Sequence, residues 1–372
     1  MKILHIGKYY PPYPGGIETY CKVLCETLIS KDIEVDIIVA NNTKEYSRET
    51  INRVKVFRLP RSFLLNSIPV CFKLFILFRK LIKNNKYDAI HLHFPNPMAE
   101  IAYLLFGNGI KLIITYHTDI GMRYKLKLLY MPIIKRLFAS ASHIIVFFEH
   151  YLTTDSNPSR KLLASFKEKC CFIPIPVGNN FLSPVNIQFV NDIRKKYGRF
   201  ILFVGNLSSY KGESYLIGAM KNVNCKLLLV GVGASMDKLT KTIHDLGIEE
   251  KIVFLGHIEN SILKNFYDAC DIFCLPSVSS LETFPVVTLE AMSRSKPVVT
   301  TEIGTGSSYI NINNETGLVV QPKSSDELAN ALNIIINNDN LRQQMGFNAH
   351  KRIIENFTLE KVINSIIDLY KN

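Results

Sequence analysis

Asp271-Ile272-Phe273-Cys274-Leu275-Pro276, followed shortly by Ser280-Leu281-Glu282-Thr283-Phe284-Pro285-Val286-Val287-Thr288-Leu289-Glu290-Ala291-Met292, is the stretch around which the rest of the chain can be read. The first part reads as a buried strand closed by a proline. The segment Pro285–Ser293 reads as a helix with proline in its first turn, where a missing N–H has no partner to lose. A loop after the strand then presents Glu282, and the helix presents Glu290. Five residues of helix rise about 7.5 Å, so the two carboxylates can reach different parts of one extended polar ligand. The helix N-terminus near Phe284 to Val287 offers N–H groups and a partial positive charge, which suits a phosphate. A sugar, a diphosphate and a ribose in a row fit that spacing. A surface loop carrying two solvated glutamates fits it as well.

On both sides of this stretch short apolar runs alternate with longer helical stretches, which predicts an α/β fold with parallel sheets. A chain of 372 residues exceeds one ordinary core, so two domains are expected, and 47% apolar residues can bury them. In the first half the strands are Lys2–Gly7, Glu34–Ala40, Val54–Leu59, Asp88–His93, Lys111–Tyr116, His143–Phe148 and Cys171–Pro174, with a helix from about Ile17 to Ser30. Pro174, Pro176, Gly178 and Pro184 mark a linker. The rhythm restarts with strands at Phe200–Gly205, Leu227–Val230, Ile252–Leu255, Asp271–Leu275 and Pro297–Thr301, and a helix at Glu213–Met220. Gly304-Thr305-Gly306 and Thr316-Gly317 read as turns, and Leu359–Tyr370 as an amphipathic helix that needs a surface. The opening Met1-Lys2-Ile3-Leu4 reads as a strand rather than a signal peptide, and no uncharged apolar run reaches membrane-spanning length. The eight cysteines show no zinc spacing and are expected as reduced thiols in the cytoplasm.

The charge is uneven. Residues 1–178 hold 25 Lys and Arg against 13 Asp and Glu, while residues 179–372 hold 19 of each, so the net +12 lies in the first half. That predicts an acidic partner for one domain. Residues 61–86 carry Arg61, Lys73, Arg79, Lys80, Lys83 and Lys86 with no acid, interleaved with Phe72, Phe75, Ile76 and Phe78. This suits a basic helix on a membrane surface and equally a core-packed helix with solvated lysines. Residues 120–148 repeat the pattern with Arg123, Lys125 and Lys127 among aliphatic residues. Two such stretches favour an anionic membrane over nucleic acid, since aliphatics are as common as stacking aromatics. His117-Thr118-Asp119 follows a predicted strand, at the strand end where open α/β sheets bind ligands. Gly15-Gly16 before a helix, and Lys211 beyond the strand Phe200–Gly205, are further candidates for holding a diphosphate.

In order along the chain, Pro11 to Glu18 (Pro-Pro-x-x-Gly-Gly-Ile-Glu), His117 to Asp119, Val204-Gly205 through Tyr210-Lys211-Gly212, and Glu282-x7-Glu290 before Pro297-Val298-Val299 resemble the retaining GT-B glycosyltransferases of family 4. The resemblance covers nearly the whole chain. It implies two Rossmann-like domains with parallel sheets facing across an interdomain cleft: residues 1–178 on the acceptor side, 179–356 binding the nucleotide-sugar, and 357–372 as a helix crossing back to the first domain. By matching position, Glu290 holds the ribose hydroxyls, Glu282 contacts the transferred sugar, and Lys211 contacts the diphosphate. The amides of Gly16 and of Phe284, Val286 and Val287 hold phosphate and sugar, and His117 lies beside the reacting carbon. No metal or other cofactor is implied; basic side chains and helix dipoles stabilise the leaving diphosphate. Asn206 stands where members commonly carry arginine, and Pro285, which has no N–H, where many carry glycine.

The resulting expectation is a cytoplasmic hexosyltransferase, peripheral to the inner face of the cytoplasmic membrane, that extends a lipid-linked saccharide in surface polysaccharide (O-antigen or capsule-like) biosynthesis. Gly304 to Tyr309 and Thr316 to Val320 are similar to members proposed to use GDP-mannose, which favours that donor over a UDP-sugar. The alternatives are a nucleotide-sugar epimerase on the same fold and a non-catalytic membrane-bound scaffold, which Asn206 would suit.

Overall fold

The computed structural model describes residues 1–13, 15–65, 68–119, 124–153 and 158–372, with backbone alone at 65 and 124–129. Two compact units form: Met1–Pro174 together with Val362–Asn372, and Ile175–Lys361.

The first unit is built on strands β1 (Lys2–Ile6), β2 (Glu34–Ala40), β3 (Ser47–Ile51), β4 (Val54–Leu59), β7 (Ala89–Phe94), β8 (Lys111–Tyr116), β9 (His143–Val146) and β10 (Cys170–Phe172). A separate hairpin pairs β5 (Phe63–Leu65) with β6 (Ile68–Val70). The sheet order is β10-β9-β8-β7-β1-β2-β4-β3. Every neighbouring pair is parallel except β3 with β4. The strands β2, β4, β7 and β8 are buried almost throughout, as expected of parallel strands covered on both faces.

The second unit carries β11 (Phe200–Val204), β12 (Lys226–Val230), β13 (Ile252–Gly256), β14 (Ile272–Leu275), β15 (Val298–Thr301) and β16 (Gly317–Val320). Its order is β13-β12-β11-β14-β15-β16, all parallel. Each sheet reverses direction of growth beside its first strand, at β1 in one unit and β11 in the other. Such switch points open a crevice at the carboxyl ends of the strands.

Several elements depart from expectation. Ser47–Ile51 is a polar, largely exposed edge strand, so no apolar alternation announced it. Residues 61–86 are not one helix: the hairpin comes first, and the helix runs only over Lys73–Asn84. Pro285 is the cap with extended ψ of 93°, not a first-turn residue, and the helix begins at Val286. Gly306 opens a short helix, Gly306–Ile310, and Gly317 opens β16 rather than a turn. The final helix, Leu359–Lys371, buries Val362, Ile363, Ile366, Ile367 and Tyr370, and its residues from Val362 onward belong to the first unit.

Candidate active site

In the second unit the strand ends build a charged pair. The chain leaves β11 through Ser209–Lys211, a single 3-10 turn, and Gly212 then takes the left-handed conformation (φ 74°). A Cβ on Gly212 would lie 1.9 Å from the Pro276 carbonyl oxygen, so only glycine lets this loop rest on the one after β14. Val278 N–H donates to the Tyr210 carbonyl at 2.8 Å, which fixes the two loops together. Across that junction the Lys211 ammonium donates to Glu282 Oε2. Ser277 Oγ donates to the same oxygen at 3.2 Å. Lys211 is 9% exposed and Glu282 7%, so the pair is largely withdrawn from water. Partial burial of two opposite charges in contact is tolerable only because each satisfies the other.

Beyond Glu282 the loop is held from its other side. Gly306 N–H donates to the Thr283 carbonyl at 2.8 Å, and a Cβ on Gly306 would come within 2.7 Å of both that oxygen and the Phe284 ring. Phe284 is buried. The helix Val286–Ser293 follows; Thr288 N–H donates to the Pro285 carbonyl at 3.0 Å, and the amides of Val286 and Val287 before it have no intrahelical acceptor. Glu290 lies on this helix and accepts a hydrogen bond from the Tyr267 hydroxyl at 2.8 Å. Burial raises the Glu290 carboxyl to about 8, against a smaller opposing effect of the tyrosine. At neutral pH this acid therefore holds its proton, and offers a donor as well as an acceptor. Asn206 is exposed and brings no charge to the Lys211 loop.

In the first unit Gly15 caps the helix Gly16–Ser30, and a Cβ at Gly15 would collide with the Glu18 carboxylate, whereas the space beside Gly16 is open. Four histidines line up at the carboxyl-end half of the sheet. His5 and His91 are paired in register on β1 and β7, His93 lies two residues on, on the same face, and His117 follows β8. His5 Nδ1 and His93 Nε2 are 3.2 Å apart, and His93 Nδ1 and His117 Nε2 are 3.0 Å apart. Tyr370 of the last helix lies 2.6 Å from His91 Nδ1 and 3.4 Å from His5 Nε2. Burial holds all four imidazoles below their ordinary range, His93 at about 3, so all are neutral.

Neutral rings with one donor and one acceptor each allow two consistent proton arrangements. In the first, Tyr370 donates to His91, His5 donates to Tyr370, His93 to His5 and His117 to His93, which leaves His117 Nδ1 a lone pair. In the second, Tyr370 donates to His5, His5 to His93 and His93 to His117, which leaves His117 Nδ1 carrying hydrogen. The protonation of His117 is thus set by a row that ends on the last helix. Among the described residues no three His, Cys, Asp or Glu side chains converge as metal ligands. Asp119 is clamped: Tyr116 and Tyr151 hydroxyls donate to Oδ1 at 2.9 and 3.2 Å, and Arg160 Nε to Oδ2 at 2.9 Å.

Lys211, Glu282 and the Phe284–Glu290 segment therefore come together in one unit, and Gly15, Gly16 and His117 lie in the other. The basic residues Lys73, Arg79, Lys80 and Lys83 are exposed on a helix whose Leu74, Phe78 and Leu81 face the core. Beside them Phe63, Leu64, Phe72 and Ile76 remain 50%, 50%, 59% and 73% exposed. Arg123 lies outside the described residues, as do the side chains of Lys125 and Lys127. Sequence reasoning missed Tyr267, Ser277, His5, His91, His93 and Tyr370. Only the alternating His91-Leu92-His93 within one strand offered a local signal.

Comparison with known proteins agrees with this architecture. The profile described as Glycosyl transferases group 1 matches residues 186–352, and that described as Glycosyltransferase Family 4 matches residues 14–147. An O-antigen chain mannosyltransferase C of Escherichia coli is 28% identical over 372 residues, covering 100% of this chain and 98% of that protein. An uncharacterized glycosyltransferase of Methanocaldococcus jannaschii is 30% identical over 398 residues, covering 100% of this chain and 98% of that one. The crystal structure of Anabaena HepE in complex with UDP superposes with a TM-score of 0.77 at 20% identity, covering 99% of each chain. With a GT-B fold and these relatives along its whole length, the chain belongs to the family 4 (group 1) glycosyltransferases.

Proposed function

We propose that this glycosyltransferase moves a hexose, with GDP-mannose favoured over a UDP-sugar as donor, onto a lipid-linked saccharide in the assembly of a surface polysaccharide such as an O-antigen or capsule, with retention at the transferred carbon. The observation that carries this reading is the buried Lys211–Glu282 pair at the strand ends, followed by a helix N-terminus and Glu290. In this reading Lys211 and the first-turn amides of Val286 and Val287 take the diphosphate, and Glu290 takes the ribose hydroxyls. Glu282 holds the sugar, and an arriving diphosphate competes with it for the Lys211 ammonium. As the sugar–phosphate bond breaks, charge grows on the diphosphate, and a fixed ammonium and helix dipole stabilise it there. His117, in the first unit, keeps the catalytic role that the family resemblance implies for it. Basic and aromatic residues around Lys80 hold the enzyme to an anionic membrane on the cytoplasmic side. The relative named for O-antigen mannosyl transfer supports the sugar and the product class.

In the first unit a cavity of about 450 Å³ is lined by Tyr9, Tyr13, Asn41, Asn42, Glu49 and Arg58. Tyr9 and Tyr13 stack at 4.0 Å and 12°. Flat rings beside amide and charged groups suit the mixed apolar and hydroxyl surface of a saccharide, which supports an acceptor on this unit.

The test is nucleoside diphosphate release by the purified chain with GDP-mannose or UDP-sugars, with and without membrane extract holding lipid-linked saccharide. Acceptor-dependent GDP release is expected. Turnover of the nucleotide-sugar without acceptor would instead favour an epimerase, and no release with any donor would favour a scaffold.

A further inference from the structure

The cavity lined by Tyr9, Tyr13, Asn41, Asn42, Glu49 and Arg58 stands at the ends of β2 and β4, not at the end of β8. Ala40 closes β2, Arg58 lies one residue from the end of β4, and Glu49 lies on the edge strand β3. His117 follows β8. In the sheet order β8 and β2 are three strand spacings apart, about 14 Å. The strands between them run parallel, so both places lie on the same edge of the sheet. The gap between them is wider than one sugar ring.

The charge in this cavity is already matched within the protein. Arg58 Nε donates to Glu49 Oε1. Arg58 Nη1 and Nη2 donate to the Tyr10 and Pro11 carbonyls, at 2.8 and 2.5 Å. The guanidinium therefore braces the loop after β1 against β4, and its charge is offset by Glu49. The groups left for a ligand are mostly acceptors. Asn41 Nδ2 donates to the Glu45 carbonyl at 2.9 Å. The Asn41 oxygen, the Asn42 amide and Glu49 Oε2 have no hydrogen-bond partner among the described residues. Tyr13 remains 37% exposed and rests on the buried Tyr9 ring, which holds it flat. A fixed aromatic face beside amide and carboxylate acceptors, with no spare cation, suits a neutral pyranose and not a phosphate.

We propose that this cavity is a remote acceptor subsite, which holds a neutral sugar of the acceptor chain at least one residue away from the hydroxyl that reacts near His117. Tyr13 stacks on the apolar face of that sugar, and Asn41, Asn42 and Glu49 accept hydrogen bonds from its hydroxyls. Arg58 is a positioning residue, since it fixes Glu49 and the loop that carries Tyr13. The polar edge strand β3 thereby belongs to the site, and the enzyme favours a saccharide that is already several sugars long. The inference rests on a saccharide acceptor and on the place given to His117.

The experiment is calorimetric titration of the full chain, with no donor present, using mannose, glucose and N-acetylglucosamine oligosaccharides of one to four residues. In the preferred series affinity is expected to rise about tenfold from monosaccharide to tetrasaccharide, the worth of one stacked ring. Tyr13→Ala is expected to lose that gain and Tyr13→Phe to keep it, while Asn42→Ala weakens the tetrasaccharide several-fold. Nucleoside diphosphate should raise the melting temperature of Tyr13→Ala as it does that of the native chain, so a folding defect is read separately. Equal affinity for one and four sugars, no tetrasaccharide binding in any series, or a gain retained in Tyr13→Ala would overturn the subsite. The subsite and the transferase reading fail separately. An unchanged acceptor KM in Tyr13→Ala, with normal nucleoside diphosphate release, removes the subsite and leaves the transferase. Tetrasaccharide binding that depends on Tyr13, with no release from any donor, keeps the subsite and removes the transferase.

Discussion

At the scale of single residues, the pair Lys211–Glu282 combines a proposed catalytic role with a structural one, and the two can be separated. Glu282→Ala leaves an ammonium buried without its partner. Breaking a buried pair in this way costs about 3–5 kcal/mol, so lost activity in that variant would partly report unfolding. Glu282→Gln keeps the shape and an acceptor oxygen. It is expected to lose most transfer activity while urea unfolding shows a smaller loss than for Glu282→Ala. The double variant Lys211→Met with Glu282→Leu is expected to recover stability relative to either single truncation and to remain inactive; activity in that double variant would refute the assigned roles. Glu290 carries a different test, because burial lifts its carboxyl from 4.5 to about 8. Below pH 4.5 both folded and unfolded chains hold that proton. Between about 4.5 and 8 the unfolded chain has released it and the folded chain has not, so this residue makes stability fall as pH rises through that window. Glu290→Gln is expected to flatten that part of the stability profile. Ribose hydroxyls donating to Glu290 would favour its ionised form. Nucleotide binding at pH 7 is therefore expected to release up to one proton, read by calorimetry in buffers of different ionisation enthalpy. Release that persists unchanged in Glu290→Gln would exclude this residue as the ribose ligand.

At the scale of elements, the last helix does more than cover apolar surface. Tyr370 joins a histidine row spread over β1, β7 and the end of β8, and it lies 279 residues from His91. Tyr370→Phe leaves His91 Nδ1 and His5 Nε2 without that partner, and loss of a buried partner costs about 1–3 kcal/mol. All four histidines are held neutral in the fold, so stability from them is fully present above about pH 6.5. It is lost as pH falls below that, because the unfolded chain takes up protons that the folded chain refuses, down to about pH 3 for His93. Acid unfolding is accordingly expected to involve more than one proton below pH 6.5, and His93→Asn should reduce the slope of stability against pH. A slope equal to that of the native chain would count against the row as the source. This network also marks what the sequence could and could not reveal. Apolar strands such as β8 and β11 were legible because five or six β-forming residues in a row have few other fates. The loops after β11 and β14 that carry Lys211 and Glu282 were legible from their place after such strands. The histidine row was not, since it depends on lateral register between three strands and on a helix from the far end of the chain. Ser47–Ile51 was hidden by its polarity, and Pro285 by a cap position that its residue type also allows one step later.

At the scale of the whole molecule, charge and exposed apolar area coincide. The first unit, with its returning helix, holds 26 basic and 14 acidic residues, and the second holds 18 of each. No described helix is long and apolar enough to cross a membrane. What the first unit offers instead is a patch. Phe63 and Phe72 approach to 6.3 Å between ring centres, Leu64 and Ile76 are exposed on the same hairpin and helix, and Lys73, Arg79, Lys80 and Lys83 are exposed along that helix. Exposed apolar side chains rimmed by cations match what an anionic interface requires, with aromatic and aliphatic groups entering the headgroup region and ammonium groups meeting lipid phosphates. The two contributions separate by salt. Lys80→Glu with Lys83→Glu is expected to weaken sedimentation with anionic vesicles most at low ionic strength, where charges are least screened. Phe63→Ser with Phe72→Ser and Ile76→Ser removes area rather than charge, so its loss of binding should persist at high salt. These side chains are half exposed or more, and surface changes of this kind usually shift stability by only about 0.5 kcal/mol, so melting should barely move. If both variants sediment as the native chain does, the cations are a solvated face and the aromatic cluster has another purpose. If only the serine variant fails, the patch binds by burial and the +12 charge serves encounter alone.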